Sequence, residues 1–205
     1  MTNFAMNGRI LAKGKFFFDS SGQKFFLKGV TYGTFRPDAE GHQYPAREVV
    51  AQDLSLMRAA GVNCVRVYTP PPTWLLDDLQ EAGIRLLLGI SWPQHINFLD
   101  SSAQVRDIRS TVAETVRGLK GHPAIFGYMI GNEIPADLVR WYGQTKIQRF
   151  LLELYDIAKQ QDPEGLVSYA NYPTTEYLEL PFLDFLSFNV YLHRDEEFRK
   201  YILRL

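Results

Sequence analysis

The chain has a single cysteine, Cys64, among 205 residues, so neither an internal disulfide nor a multi-cysteine metal centre is open to it. Cys64 lies in the apolar run Val62–Val67 and reads as a small core residue, not a nucleophile. No stretch approaches the roughly 20 apolar residues of a membrane-spanning helix, and the opening MTNFAMNGRI lacks the apolar centre of a secretion signal, so a cytoplasmic location is expected. Neither charge sign dominates: 22 Lys and Arg face 23 Asp and Glu, for a net charge of −1. That balance offers no attraction to nucleic acid or an anionic membrane. His42, His95, His122 and His193 share no H-E-x-x-H or i, i+4 spacing, so no metal is expected. The G-x-G-x-x-G and G-x-S-x-G signatures are absent as well, and no cofactor is expected.

Aromatic residues are plentiful, at 14% with 11 Tyr, 14 Phe and 3 Trp. Such rings fill cores, and they also suit the apolar C–H faces of sugars. Two aromatic runs, KFFFD and KFFLKGV, flank the turn Asp19–Gln23 and predict a β-hairpin over residues 9–28. The second run continues into Val30-Thr31-Tyr32 as a first parallel strand. Short aliphatic runs then recur at Cys64–Tyr68, Arg85–Ile90, Ile125–Ile130, Leu166–Ala170 and Phe185–Val190. Between them lie helical stripes with one apolar face: Val50, Leu54, Met57; Val105, Ile108, Val112, Val116; and Ile147, Phe150, Leu154, Ile157. A last helix is expected over 195–205, with Phe198, Ile202 and Leu205 inward. Gly61, Gly83, Gly121 and Gly165 each precede a strand, where left-handed helix caps belong.

Continuous apolar strands alternating with one-sided helices indicate an α/β domain with a buried parallel sheet. No linker divides residues 1–205. Polar or aromatic residues cluster at the C-terminal ends of the strands: Tyr32; Arg66 and Tyr68; Trp92; Asn132 and Glu133; Asn171; Asn189 and Tyr191, with His193 just beyond. A (β/α)8 barrel of the TIM type builds its active site in this way, and about six strand–helix units are present.

The sharpest local feature is the strand Phe126–Ile130 running into Gly131-Asn132-Glu133-Ile134-Pro135. A carboxylate between Ile130 and Ile134 is partly desolvated, which favours the protonated form that a general acid needs. Asn132 beside it can hold a substrate hydroxyl. A helix-N-terminal acid with no catalytic part is the competing reading.

His122-Pro123-Ala124-Ile125 followed by Gly131-Asn132-Glu133 resembles the acid/base strand of the retaining (β/α)8 glycosidase clan, which includes β-galactosidases, β-glucuronidases and many endoglycanases. The glycosidase-like barrel associated with bacterial polysaccharide glycosyltransferases is a similar case. The resemblance implies that Glu133 is the acid/base and that Asn132 binds the sugar 2-hydroxyl. It implies that Arg66, in Gly61–Tyr68, orients the nucleophile carboxylate, and that Tyr191 stands on the nucleophile side. Tyr32, Tyr68, Trp92, Asn171, Asn189 and His193 would then shape the substrate site for an oligo- or polysaccharide. In that clan the nucleophile is a Glu on the seventh strand, and this sequence shows six. The 205 residues alone are therefore expected to be inactive in hydrolysis. Glu176 reads as a first-turn acid of a short helix, and Asp38 and Glu40 as loop residues without a supporting pattern. The alternative function is a non-catalytic carbohydrate-binding or assembly module that forms a homo-oligomer through open sheet edges.

Overall fold

The computed structural model describes residues 8–204. The chain begins with a small antiparallel sheet of β1 (Leu11–Lys13), β2 (Phe16–Phe18) and β3 (Lys24–Phe25), in that spatial order. Phe17 pairs with Phe25, and Asp19 Oδ1 closes the turn by accepting from the amides of Ser21 and Gln23. Within the 9–28 range where the sequence predicts a two-stranded hairpin, Leu11–Lys13 forms a third strand.

The second sheet is parallel and ordered β4-β5-β6-β7-β8-β9: Gly29–Thr31, Cys64–Val67, Arg85–Gly89, Ile125–Asn132, Leu166–Asn171 and Ser187–Phe188. These six strands form a curled half-barrel of the TIM-barrel type. Helices α1 (Arg47–Ala59), α2 (Thr73–Ala82) and α3 (Ser102–Leu119) fill the first three crossovers, and α4 (Ala136–Tyr142) and α5 (Gln144–Gln161) share the fourth. The fifth crossover holds only a 3-10 turn, Pro173–Thr175, and α6 (Asp195–Ile202) follows β9.

Strands β5 to β8 are apolar because both faces are covered: Leu86, Leu88, Ile125, Tyr128 and Val167 are fully buried. The helices bury one stripe each, with Val112 and Val116 of α3 and Ile147 and Leu154 of α5 at 0% exposure. Apolar burial on this scale is the main stabilising contribution to the fold.

The N-terminal sheet seals one end of the half-barrel. Phe17 and Phe25 pack on Ile10, Cys64, Phe126 and Leu166, the last three lying at the starts of their strands. Arg9 Nη1 meets both carboxylate oxygens of Asp162 at 2.6 and 2.7 Å, and Tyr128 donates to Asp162 Oδ2 at 2.8 Å. With the N-terminal ends of the strands plugged, the C-terminal ends are left for chemistry.

Two local expectations are corrected. Gly61, Gly83 and Gly121 have positive φ, but Gly165 does not. It is needed for space instead: a Cβ there would lie 2.8 Å from both Asp162 Oδ2 and Tyr128 Cε2. In α6, Phe198 and Ile202 are exposed and Tyr201 is the buried residue, because its hydroxyl turns that face toward Glu176. Leu205 lies outside the described residues.

Candidate active site at the strand ends

Arg66, the third residue of β5, points into the mouth formed by the C-terminal strand ends. Its Nη2 donates to Asn132 Oδ1 at 2.9 Å and its Nη1 to Asn189 Oδ1 at 3.3 Å. The guanidinium also stacks 4.7 Å from the centre of the Tyr68 ring. Asn189, one residue past β9, donates at 2.8 Å to both Asn132 Oδ1 and Glu133 Oε1. Tyr191 donates to the same Glu133 oxygen at 2.6 Å. Five of the residues singled out from the sequence therefore form one hydrogen-bonded group, with Tyr68 against its cation.

Strand β7 presents Glu133 through a local distortion. Its register against β8 slips by one residue between Met129 and Asn132. Such a bulge re-aims the side chains that follow it. Glu133 itself has φ 51°, the sole positive φ of a non-glycine residue among those described. Its amide donates to Ala170 O at 2.9 Å, so the strand remains tied to β8 beyond the bulge.

The cluster is half-buried, except for Tyr191, which is 72% exposed. The Tyr191 phenol is nonetheless pushed up to about 12, first by its hydrogen bond to Glu133 and then by desolvation. Both effects penalise a phenolate beside a carboxylate.

The other residues expected to shape the substrate site make no hydrogen bond to this group. Trp92 is buried; its indole N–H donates to Ile130 O at 2.8 Å, and its ring meets Phe98 and Phe150 edge-on. Tyr32 is buried with its hydroxyl on Asp53. Asn171 is occupied within the turn after β8, bonding Thr175 O, Thr175 Oγ1 and the Tyr172 amide. His193 is exposed beyond Tyr191. Each of these residues stands near a strand end, but strand-end position alone does not decide whether a side chain turns to the mouth or to the surrounding helices.

Glu176 is not in a first helical turn. It follows the 3-10 turn and accepts from Tyr201 Oη at 2.9 Å and Arg204 Nη2 at 2.8 Å, a tether for α6. Asp38, Glu40 and His42 gather their ligand-type atoms within 4.8 Å of one another, all exposed. Asp38 there accepts from the amides of Glu40 and His42 and from the His42 ring, the ordinary staple of a tight loop. Among the described residues, no second carboxylate hydrogen-bonds within the Glu133 cluster.

Two participants escaped the sequence reading. Gln94 Oε1 accepts from the Asn132 amide at 2.8 Å, and Tyr169 Oη accepts from the Ile134 amide at 2.7 Å. Gln94 stands two residues beyond the more conspicuous Trp92, and Tyr169 is hidden in an apolar strand. Side chains that bind backbone leave no spacing signature.

A parallel half-barrel that gathers a carboxylate, an arginine, two amides and two phenols at its C-terminal strand ends belongs to the class of TIM-barrel glycosidases. Solved structures agree on the fold. Bacteroides uniformis β-glucuronidase 2 superposes with a TM-score of 0.74 at 19% identity, covering 95% of this chain and 24% of that one. Saccharomyces cerevisiae Gas2p in complex with laminaripentaose superposes with a TM-score of 0.70 at 23% identity, covering 97% of this chain and 51% of that one. More specifically, the chain belongs to the glucanosyltransferase family, whose model matches residues 3–162. The Saccharomyces cerevisiae 1,3-β-glucanosyltransferase GAS2 is 31% identical over 188 residues, which is 83% of this chain. The chain spans 32% of that relative's length.

Proposed function

We propose that this domain acts on the O-glycosidic bonds of a β-1,3-linked glucan, with Glu133 as the acid/base and a sugar hydroxyl as the acceptor that replaces water. The observation that carries this reading is the convergence of Arg66, Asn132, Asn189 and Tyr191 around Glu133. Family membership supports the choice of glucan and of transfer. The chemistry is that expected for hydrolysis except in its last step. Protonated Glu133 gives its proton to the glycosidic oxygen as the bond to C1 breaks. C1 passes to a second carboxylate on the opposite face. The Glu133 carboxylate then takes a proton from the incoming hydroxyl, whose oxygen displaces that carboxylate from C1 and restores the original configuration. Asn132 and Asn189 place amides where ring hydroxyls would lie, and Arg66 supplies the positive charge that a second carboxylate would face. Retention requires such a carboxylate about 5–5.5 Å from the first, and the described strands supply the acid/base half of that pair.

An assay with added azide isolates that half. Azide can attack C1 of phenyl β-laminaribioside from the opposite face, forming the α-glycosyl azide, while Glu133 protonates the departing phenolate. The expected result is azide-dependent phenol release that Glu133→Gln slows by roughly 10²–10⁴-fold. An unchanged rate in Glu133→Gln overturns the assignment.

A further inference from the structure

Glu133 has a positive φ, a backbone conformation that non-glycine residues other than Asn and Asp seldom adopt. Something outside the residue must hold it there. The amide before it (Asn132) and the amide after it (Ile134) are both captured by side chains from the neighbouring strand segments, Gln94 at 2.8 Å and Tyr169 at 2.7 Å. The slip between Met129 and Asn132 disturbs the ladder to β8 at this point. An amide buried here without a partner would be costly, so the two side chains offset what the bulge removes.

Both acceptors are themselves fixed. Gln94 is 9% exposed and Tyr169 is 1% exposed. The Gln94 amide donates to Trp92 O at 2.8 Å, while the Trp92 indole donates to Ile130 O at 2.8 Å. The segment Trp92–Gln94 thus grips β7 at two points, Ile130 and Asn132, from the β6 side. Tyr169 grips it from the β8 side. Trp92, expected from the sequence to shape the substrate site, is buried and supplies one point of this clasp.

We infer that Gln94 and Tyr169 are positioning residues for Glu133: by binding the amides on either side of it they hold its positive φ and aim its carboxylate at Asn189 and Tyr191. The functional meaning rests on Glu133 being the acid/base, but the clasp can be tested without sugar or turnover. In the full chain labelled with ¹⁵N and ¹³C, Gln94→Leu should speed exchange of the Asn132 amide by roughly ten-fold, and Tyr169→Phe that of Ile134 by a similar factor. Gln94→Glu keeps an acceptor at the same reach and should retain Asn132 protection. The strong intraresidue HN–Hα cross-peak that a positive φ gives Glu133 should weaken in Gln94→Leu and in Tyr169→Phe, while the α5 amide of Leu154 stays protected. An unaltered Glu133 cross-peak in both variants would overturn the inference. So would a uniform rise in exchange across β6 to β8, which would mark both as ordinary core residues. Failure of the azide assay with these signatures intact would instead remove the acid/base reading and leave the clasp standing.

Discussion

The Tyr191 hydroxyl donates to Glu133 Oε1 at 2.6 Å, although the Tyr191 side chain is largely in solvent. That one contact dominates the upward displacement of the phenol, with desolvation second. Replacing the carboxylate by an amide keeps the acceptor and removes the charge. Glu133→Gln is therefore expected to lower the Tyr191 titration from about 12 toward the ordinary tyrosine value. The ¹³Cζ shift of Tyr191 followed against pH measures this. A phenol that titrates identically in both proteins would mean that the two side chains do not meet in solution.

The plug beneath the barrel makes a stability prediction. Arg9 and Asp162 have side chains only 10% and 6% exposed, and Tyr128 shares the same carboxylate. Removing one member of a buried pair leaves the other uncompensated, at a cost of about 3–5 kcal/mol. Asp162→Ala should show that loss in urea unfolding, together with faster amide exchange in β1 and β2. A loss confined to a few tenths of a kcal/mol would place this pair with ordinary surface ion pairs.

Cys64 offers a chemical check on the core. Burial pushes its thiol up to about 12, and the neutral thiol is a poor nucleophile. The folded chain at pH 8 should resist alkylation by iodoacetamide, and the urea-unfolded chain should react fully. Rapid labelling of the folded protein would contradict the packing of Ile10, Phe126 and Leu166 around it.

Most of the architecture was legible because it rests on periodicity. The aliphatic runs and one-sided stripes correspond to β5 to β8 and to α1, α3 and α5, since a buried parallel sheet demands apolar residues on both faces. The cluster around Glu133 was legible through strand-end placement, which brought out Arg66, Asn132, Asn189 and Tyr191. Orientation was not legible. Trp92, Tyr32 and Asn171 sit close to strand ends too, yet each turns to a partner inside the protein, through Ile130 O, Asp53 and Thr175 respectively. The clasp residues were hidden for a related reason. Gln94 and Tyr169 bind main-chain amides that become available only once β7 slips register, and a register slip has no mark in hydropathy.

Glu133 can act on a glucan only if the strand ends around it form one sugar site. Titrating the ¹⁵N-labelled chain with laminaripentaose tests that most directly. The predicted result is saturable shifts concentrated at Arg66, Asn132, Glu133, Asn189 and Tyr191, with the plug residues around Arg9 and Phe17 unmoved. Shifts absent from that group, or clustered at the plugged end of the barrel, would contradict it.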